Sequence, residues 1–363
     1  MSPVRPVRSR ACRWRIGADV LLGIVLLAGL SCVTRGIFVS QAYEDLGKDL
    51  YAAWRFGEGE APFRDFQWRY GHLQPAYYAA VFRLLGPSIL AMQTGYRVLQ
   101  GLAALATLVT VRSLYGRAFA LPAAVLHFFF LDVYHAYNHG GVALGISVWI
   151  LLLAPPFLSG GSLSGRRFAG AVAAVLAVGW SKPNMGFALA VGTFAYVLQD
   201  GFRERPRRVA AERLLFLALA VPALILADYL PWVLSLPPDR ALNCTGPGAG
   251  VIGAPRASAL QALETPIRIW LSPAAALQRE ALVRFVAAAF AALLLAWCVA
   301  SLRHAGRPGA PFAPVAFFVA GLYLLLGHEF FVNRNWTNLA YHGSGLWCVA
   351  LAGALERILR PAE

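Results

Sequence analysis

Charge is what this chain has least of: 14% of its 363 residues are charged, against about 25% in an ordinary soluble domain. Its apolar runs are too many and too long for a soluble core, which places most of the chain in lipid. Acids are scarcer than bases, 18 against 32, for a net charge of +14. The bases cluster in short loops between apolar segments rather than along one face. That pattern excludes a nucleic-acid footprint and reads as membrane topology. The five cysteines, Cys12, Cys32, Cys244, Cys298 and Cys348, are scattered over a tail, three spans and one loop. With no shared compartment, they exclude a disulfide framework and a cysteine metal site. No internal repeat or low-complexity tract is apparent.

The apolar runs define an all-α polytopic protein of about ten transmembrane helices. Behind a basic tail of residues 1–16, the run Gly17 to Val39 is too long for a signal-peptide core and reads as an uncleaved first span. Further spans follow at about 88–111, 118–134, 140–158, 167–180, 185–199, 210–235, 282–302, 311–327 and 342–358. This count leaves both termini on the cytoplasmic side. Every loop then assigned to that side is basic: Arg112 and Arg117, Arg166 and Arg167, Arg203 to Arg208, Arg303 and Arg307, Arg357 and Arg360, as the positive-inside rule requires. The fifth and sixth spans are short for a hydrocarbon core of about 30 Å. They meet at Ser181-Lys182-Pro183-Asn184, so a hairpin dipping inward is expected, with Lys182 below the outer surface.

Three segments face outward: 40–87, 236–280 and 328–341. In the first, Leu46, Leu50, Ala53, Trp54 and Gly57 recur at helical spacing, and Pro75 to Leu85 forms a second apolar-faced run. Two interfacial helices are expected there, folded together by the turn Gly57-Glu58-Gly59-Glu60-Ala61-Pro62. On the first of them Asp45 and Asp49 are i,i+4 neighbours, and Glu44 can pair with Lys48. Paired carboxylates beside lipid suit general-base chemistry. Acids also favour the positive N-terminal end of any helix, so spacing alone leaves both readings open.

The segment resembles the first external loop of the GT-C superfamily, membrane glycosyltransferases that use polyprenyl-phosphate-linked sugars. It has Asp45 after the first span, then Leu50-Tyr51-Ala52-Ala53-Trp54-Arg55, Gly59-Glu60-Ala61-Pro62-Phe63-Arg64-Asp65-Phe66 and Tyr70-Gly71. The stretch Ser181-Lys182-Pro183-Asn184-Met185-Gly186 is similar to the K-P-[TN]-x-G hairpin between middle spans of these enzymes. His72 stands where that family usually has proline, and Leu46 where many members have a second acid. No soluble C-terminal domain is apparent, so the resemblance covers a single transmembrane module, 1–363.

The resemblance implies a lipid-phosphate-linked sugar as donor, with Asp45 as the catalytic base and Asp49 as second choice. Lys182, Arg334 and Arg69 are placed to compensate the donor phosphate, while Arg69 and Arg334 fit interfacial anchoring equally. Asp65, Tyr70, His72, Asp132, His139 and Asn335 are candidate substrate contacts. Asp132, His135 and His139, at i, i+3 and i+7, would suit a divalent cation. They also fit an aromatic belt with Tyr134 and Tyr137, and no metal or other cofactor is the favoured expectation. The last external segment, from His328 to His342, mixes the aromatic and amide groups that bind sugars. The expected partners are a polyprenyl-phosphate sugar, membrane lipid and a glycan, lipid or protein acceptor, without nucleic acid. The expected location is a bacterial plasma membrane, with the site facing outward toward the cell envelope. A ligase or polymerase working on lipid-diphosphate-linked chains would instead rest on His328 and Arg334. A secondary transporter should carry ionisable groups near the bilayer midplane.

Overall fold

The computed structural model describes residues 10–34, 43–62, 65–66, 68, 70–133, 140–158, 162–203, 207–234 and 337–359. Its regular structure is entirely helical: α1 (Arg10–Thr34), α2 (Tyr43–Gly57), α3 (Leu73–Leu85), α4 (Ile89–Tyr115), α5 (Arg117–Val133), α6 (Gly140–Leu158), α7 (Gly165–Ser181), α8 (Pro183–Arg203), α9 (Arg207–Leu215), α10 (Val221–Leu234) and α11 (Thr337–Leu359). A π-turn, Phe216–Ala220, joins α9 to α10. Each apolar run read as a span and falling on described residues coincides with a helix. The runs at 282–302 and 311–327 lie outside the described residues, as does segment 236–280, expected from sequence to face outward.

Among the described residues, two helical stretches, Ile89–Tyr115 and Arg208–Tyr229, are long and apolar enough to cross a membrane. Large apolar side chains stand outward on α1 and on the α9–α10 rod: Leu21 is 62% exposed and Val25 63%, Leu215 62% and Leu219 63%. α8 is longer than its apolar window. Its 21 residues span about 31 Å at 1.5 Å per residue, while its apolar part, Met185–Leu198, is shorter. It gains this length because Pro183 starts it directly at the junction and its polar end continues past the apolar run.

α4, α5, α6 and α11 pack together, and α7 and α8 continue the bundle from α6. Leu108, Ile146, Trp149, Val175, Met185 and Trp347 are buried in one continuous core. Small residues let α7 and α8 approach closely, as in helix pairs packed by backbone contact. A Cβ on Gly186 would lie 2.7 Å from the Gly179 nitrogen, so only glycine fits. Buried polar groups find partners inside the bundle. Trp149 Nε1 donates to Thr193 Oγ1 at 2.8 Å, Gln100 Nε2 to the Phe128 carbonyl at 2.7 Å and Tyr96 Oη to the Leu131 carbonyl at 2.5 Å.

The two ends of the bundle differ. At one, Asp19 of α1 pairs with Arg112, and with Arg117 at 2.7 Å. There too Arg213 donates to the Leu163 carbonyl at 2.8 Å, and Leu163 N donates to Asp200 at 3.1 Å. At the other end, α2 and α3 lie against α4 through Ala53, Tyr78, Phe82, Met92 and Tyr96. Tyr77 Oη donates to the Gly95 carbonyl at 2.8 Å, and burial pushes its phenol up to about 12, keeping it a donor.

Candidate functional site

α2 buries one stripe and exposes the other, as its sequence pattern requires. Asp49, Ala52 and Ala53 face inward while Tyr51 and Trp54 are almost half exposed. Asp49 is therefore on the packed side of the helix, at 2% exposure. Residue 45 lies one turn earlier in the same helix. Its side chain, like that of Glu44, is outside the described residues.

The turn after α2 folds as the glycines and acids suggest. Glu58 and Glu60 amides return to the Trp54 and Arg55 carbonyls at 3.1 Å, and Arg55 pairs with Glu60. Asp65 Oδ2 accepts from Ala61 N at 2.8 Å, while Asp65 N donates to the Ala61 carbonyl at 3.0 Å. That carboxylate holds the turn, a structural task for a residue expected to touch substrate.

Beyond the turn, the chain docks on the α7–α8 junction. Gly71 N donates to the Ser181 carbonyl at 3.0 Å, and Trp68 Nε1 closes over the Gly71 carbonyl at 3.0 Å. A Cβ at residue 71 would overlap the Trp180 carbonyl and lie 2.6 Å from Tyr229 Oη. The junction is itself tightly built: Lys182 N returns to the Val178 carbonyl at 2.6 Å, and the Lys182 carbonyl accepts from Met185 N and Gly186 N at 3.1 Å. Lys182 is thereby fixed at 2% exposure. Its Nζ lies 5.6 Å from the centroid of the Tyr70 ring, and Lys48 Nζ of α2 lies 5.5 Å from the same centroid. Two ammonium groups, one from the first loop and one from the distant hairpin, share one aromatic ring, an arrangement that attracts anions.

One residue past Gly71 stands His72. Its Nδ1 lies 2.6 Å from Oδ1 of Asp228 on α10, whose side chain is 7% exposed against 33% for His72. The ring stacks on Phe56, with centroids 6.4 Å apart and planes 2° apart. Tyr229 Oη donates to the Gly179 carbonyl at 3.2 Å, and Trp180 Nε1 to the Leu224 carbonyl at 3.1 Å. Loop, hairpin and α10 are thus bound into one corner.

Of the residues expected from sequence, this corner unites Lys182, Tyr70 and His72, while Asp49 is buried on α2 beside Lys48 in the sequence. Arg69, Arg334, Asn335, His135 and His139 lie outside the described residues, as does the side chain of Asp132. Among the described residues no three His, Cys, Asp or Glu side chains converge on a metal position. Sequence reasoning missed Asp228, although it is the lone charged residue between Leu214 and Leu234, and an isolated charge in an apolar span marks a functional position. It also missed His127. This histidine is buried in α5 with Nδ1 2.8 Å from Thr107 Oγ1. Comparison with family models, with curated proteins and with solved structures finds no match to this chain.

Proposed function

We propose that this protein is a polytopic membrane glycosyltransferase that moves a sugar from a polyprenyl-phosphate donor to an acceptor on the extracytoplasmic side. In this reading the helices form about ten spans, both termini are cytoplasmic, and the corner built by α2, Tyr70 and Lys182 opens to the outer face of a bacterial plasma membrane. The arrangement that carries the proposal is the docking of the first loop on the Lys182 hairpin. The two segments that resemble GT-C enzymes are far apart in sequence, yet a backbone hydrogen bond and a shared aromatic ring join them. The separation of basic loop residues at one end from this corner at the other supports the orientation.

The chemistry follows from the groups. Asp45 removes the proton of an acceptor hydroxyl, and the oxygen attacks the anomeric carbon. The bond from that carbon to the phosphate oxygen breaks, and its electron pair leaves with the polyprenyl phosphate. Lys182, with Arg69 and Arg334 as further candidates, compensates the departing charge. Asp49, buried in the packed face of α2, suits a supporting role better than contact with the acceptor. No divalent cation is required by this scheme. The test is transfer by the purified protein in lipid from a panel of short-prenyl phosphate hexoses and pentoses, with the lipid product identified. Absence of transfer from every donor, with the protein folded, overturns the proposal.

A further inference from the structure

Lys48 is used by nothing in the scheme above, yet it is built into the same corner as Lys182. Its Nζ lies 5.5 Å from the centroid of the Tyr70 ring, and Lys182 Nζ lies 5.6 Å from the same centroid. The two nitrogens can therefore be no farther apart than those distances laid end to end. The ring between them is itself held: it stands edge-on to buried Trp68, with centroids 5.6 Å apart, and the next residue, Gly71, is bonded to the Ser181 carbonyl. The lysines are placed differently. Lys182 is 2% exposed in the α7–α8 junction, whereas Lys48 is half-buried on α2 and carries its ammonium on a flexible stem. Lys48 also follows Asp45 by three residues in that helix, which puts the two positions on neighbouring turns. The helix that bears the base for the acceptor thus bears a cation as well.

The charge on the donor decides what a second cation is for. A sugar joined to a prenyl phosphate is a phosphodiester with a single negative charge, which one ammonium matches. When the bond from the anomeric carbon breaks, its electron pair goes to the phosphate oxygen, and the departing monoester carries about −1.5 to −2. The added charge exists only as the bond breaks. A group that answers it there raises turnover rather than tightening donor binding. We propose that Lys48 is the leaving-group residue, closing on the phosphate as the glycosyl bond breaks, while Lys182 holds the phosphodiester of the intact donor. This inference rests on the glycosyltransferase reading. Lys182 suits the first task because burial fixes it before a ligand arrives, and Lys48 suits the second because its stem can swing from the helix that carries Asp45.

The experiment uses the full-length protein in nanodiscs at about pH 8, where a phosphate monoester is a dianion. On whichever short-prenyl phosphate hexose or pentose is transferred fastest, Lys48→Met should lower kcat by roughly 10²–10³-fold with KM nearly unchanged. Lys48→Arg, which keeps the charge, should retain most of the turnover. Two binding probes separate charge from packing: a short-prenyl monophosphate, charged like the product, and its methyl ester, charged like the donor. Lys48→Met should weaken the first by roughly 10- to 100-fold and leave the second unmoved, whereas Lys182→Met should weaken both. A rise in KM with kcat unchanged in Lys48→Met, or equal weakening of both probes, or none, overturns the assignment, while transfer by the wild type leaves the glycosyltransferase reading intact. A folded wild type that transfers no sugar overturns both.

Discussion

Replacing Gly71 by alanine tests the docking on which the site depends. The new methyl group would overlap the Trp180 carbonyl and stand 2.6 Å from Tyr229 Oη. Neither neighbour can retreat: one is helix backbone, and the other donates to the Gly179 carbonyl. Overpacking of this kind costs about 1–3 kcal/mol, and loss of the Gly71–Ser181 hydrogen bond about 0.5–1.5 kcal/mol more. The sum, about 1.5–4.5 kcal/mol, is relieved by lifting residues 68–72 off the junction. The bundle itself should persist, because α2 and α3 are held to α4 by Tyr78, Phe82, Met92 and Tyr96. Limited proteolysis of the 58–72 loop should therefore accelerate by roughly 10- to 2,000-fold if cleavage follows the open population, with helix content unchanged by circular dichroism. Sugar transfer should fall in parallel as Tyr70 leaves Lys182. The comparison variant is Gly57→Ala, whose Cβ meets Ala79 Cβ at an ordinary 3.7 Å and should leave both assays unmoved. Wild-type proteolysis and transfer in Gly71→Ala would refute the reasoning outright.

Other outcomes follow from the same corner. Asp45→Asn should lower turnover by roughly 10²–10⁴-fold with donor binding retained, and Asp49→Asn should lower it less. If steady-state kinetics find only Asp49→Asn inactive, the base has been assigned to the wrong carboxylate. Lys182→Met keeps the stem but removes the charge, so donor KM should rise by at least tenfold while binding of an unphosphorylated prenyl sugar is unchanged. A uniform loss on both ligands would reduce Lys182 to a packing role. Single cysteines placed at Glu58 and at Arg117 in an otherwise cysteine-free protein should label from opposite sides of sealed vesicles, and labelling from the same side would reject the topology.

What the sequence determined by itself is where the described helices lie. A helix in lipid needs an unbroken apolar run and a legible stop, and both are local. The run read at 88–111 is α4, opened by Ser88 accepting from Ala91 N at 3.1 Å and closed at Gly116. The paired helices of the first loop and the turn between them were legible for the same reason. Helical spacing also put Asp45 and Asp49 on neighbouring turns, but it could not say that Asp49 lies on the side packed into the protein, because burial depends on what approaches that side. The meeting of Tyr70 with Lys48 and Lys182, and of His72 with Asp228, was likewise decided only by the tertiary structure. Each contact depends on how far α7, α8 and α10 slide past one another, which is set by Gly71, Gly179 and Gly186 admitting backbone to within contact distance. Hydropathy carries no record of that register, so Asp228 read as one more residue of an apolar span until the fold brought a histidine to it.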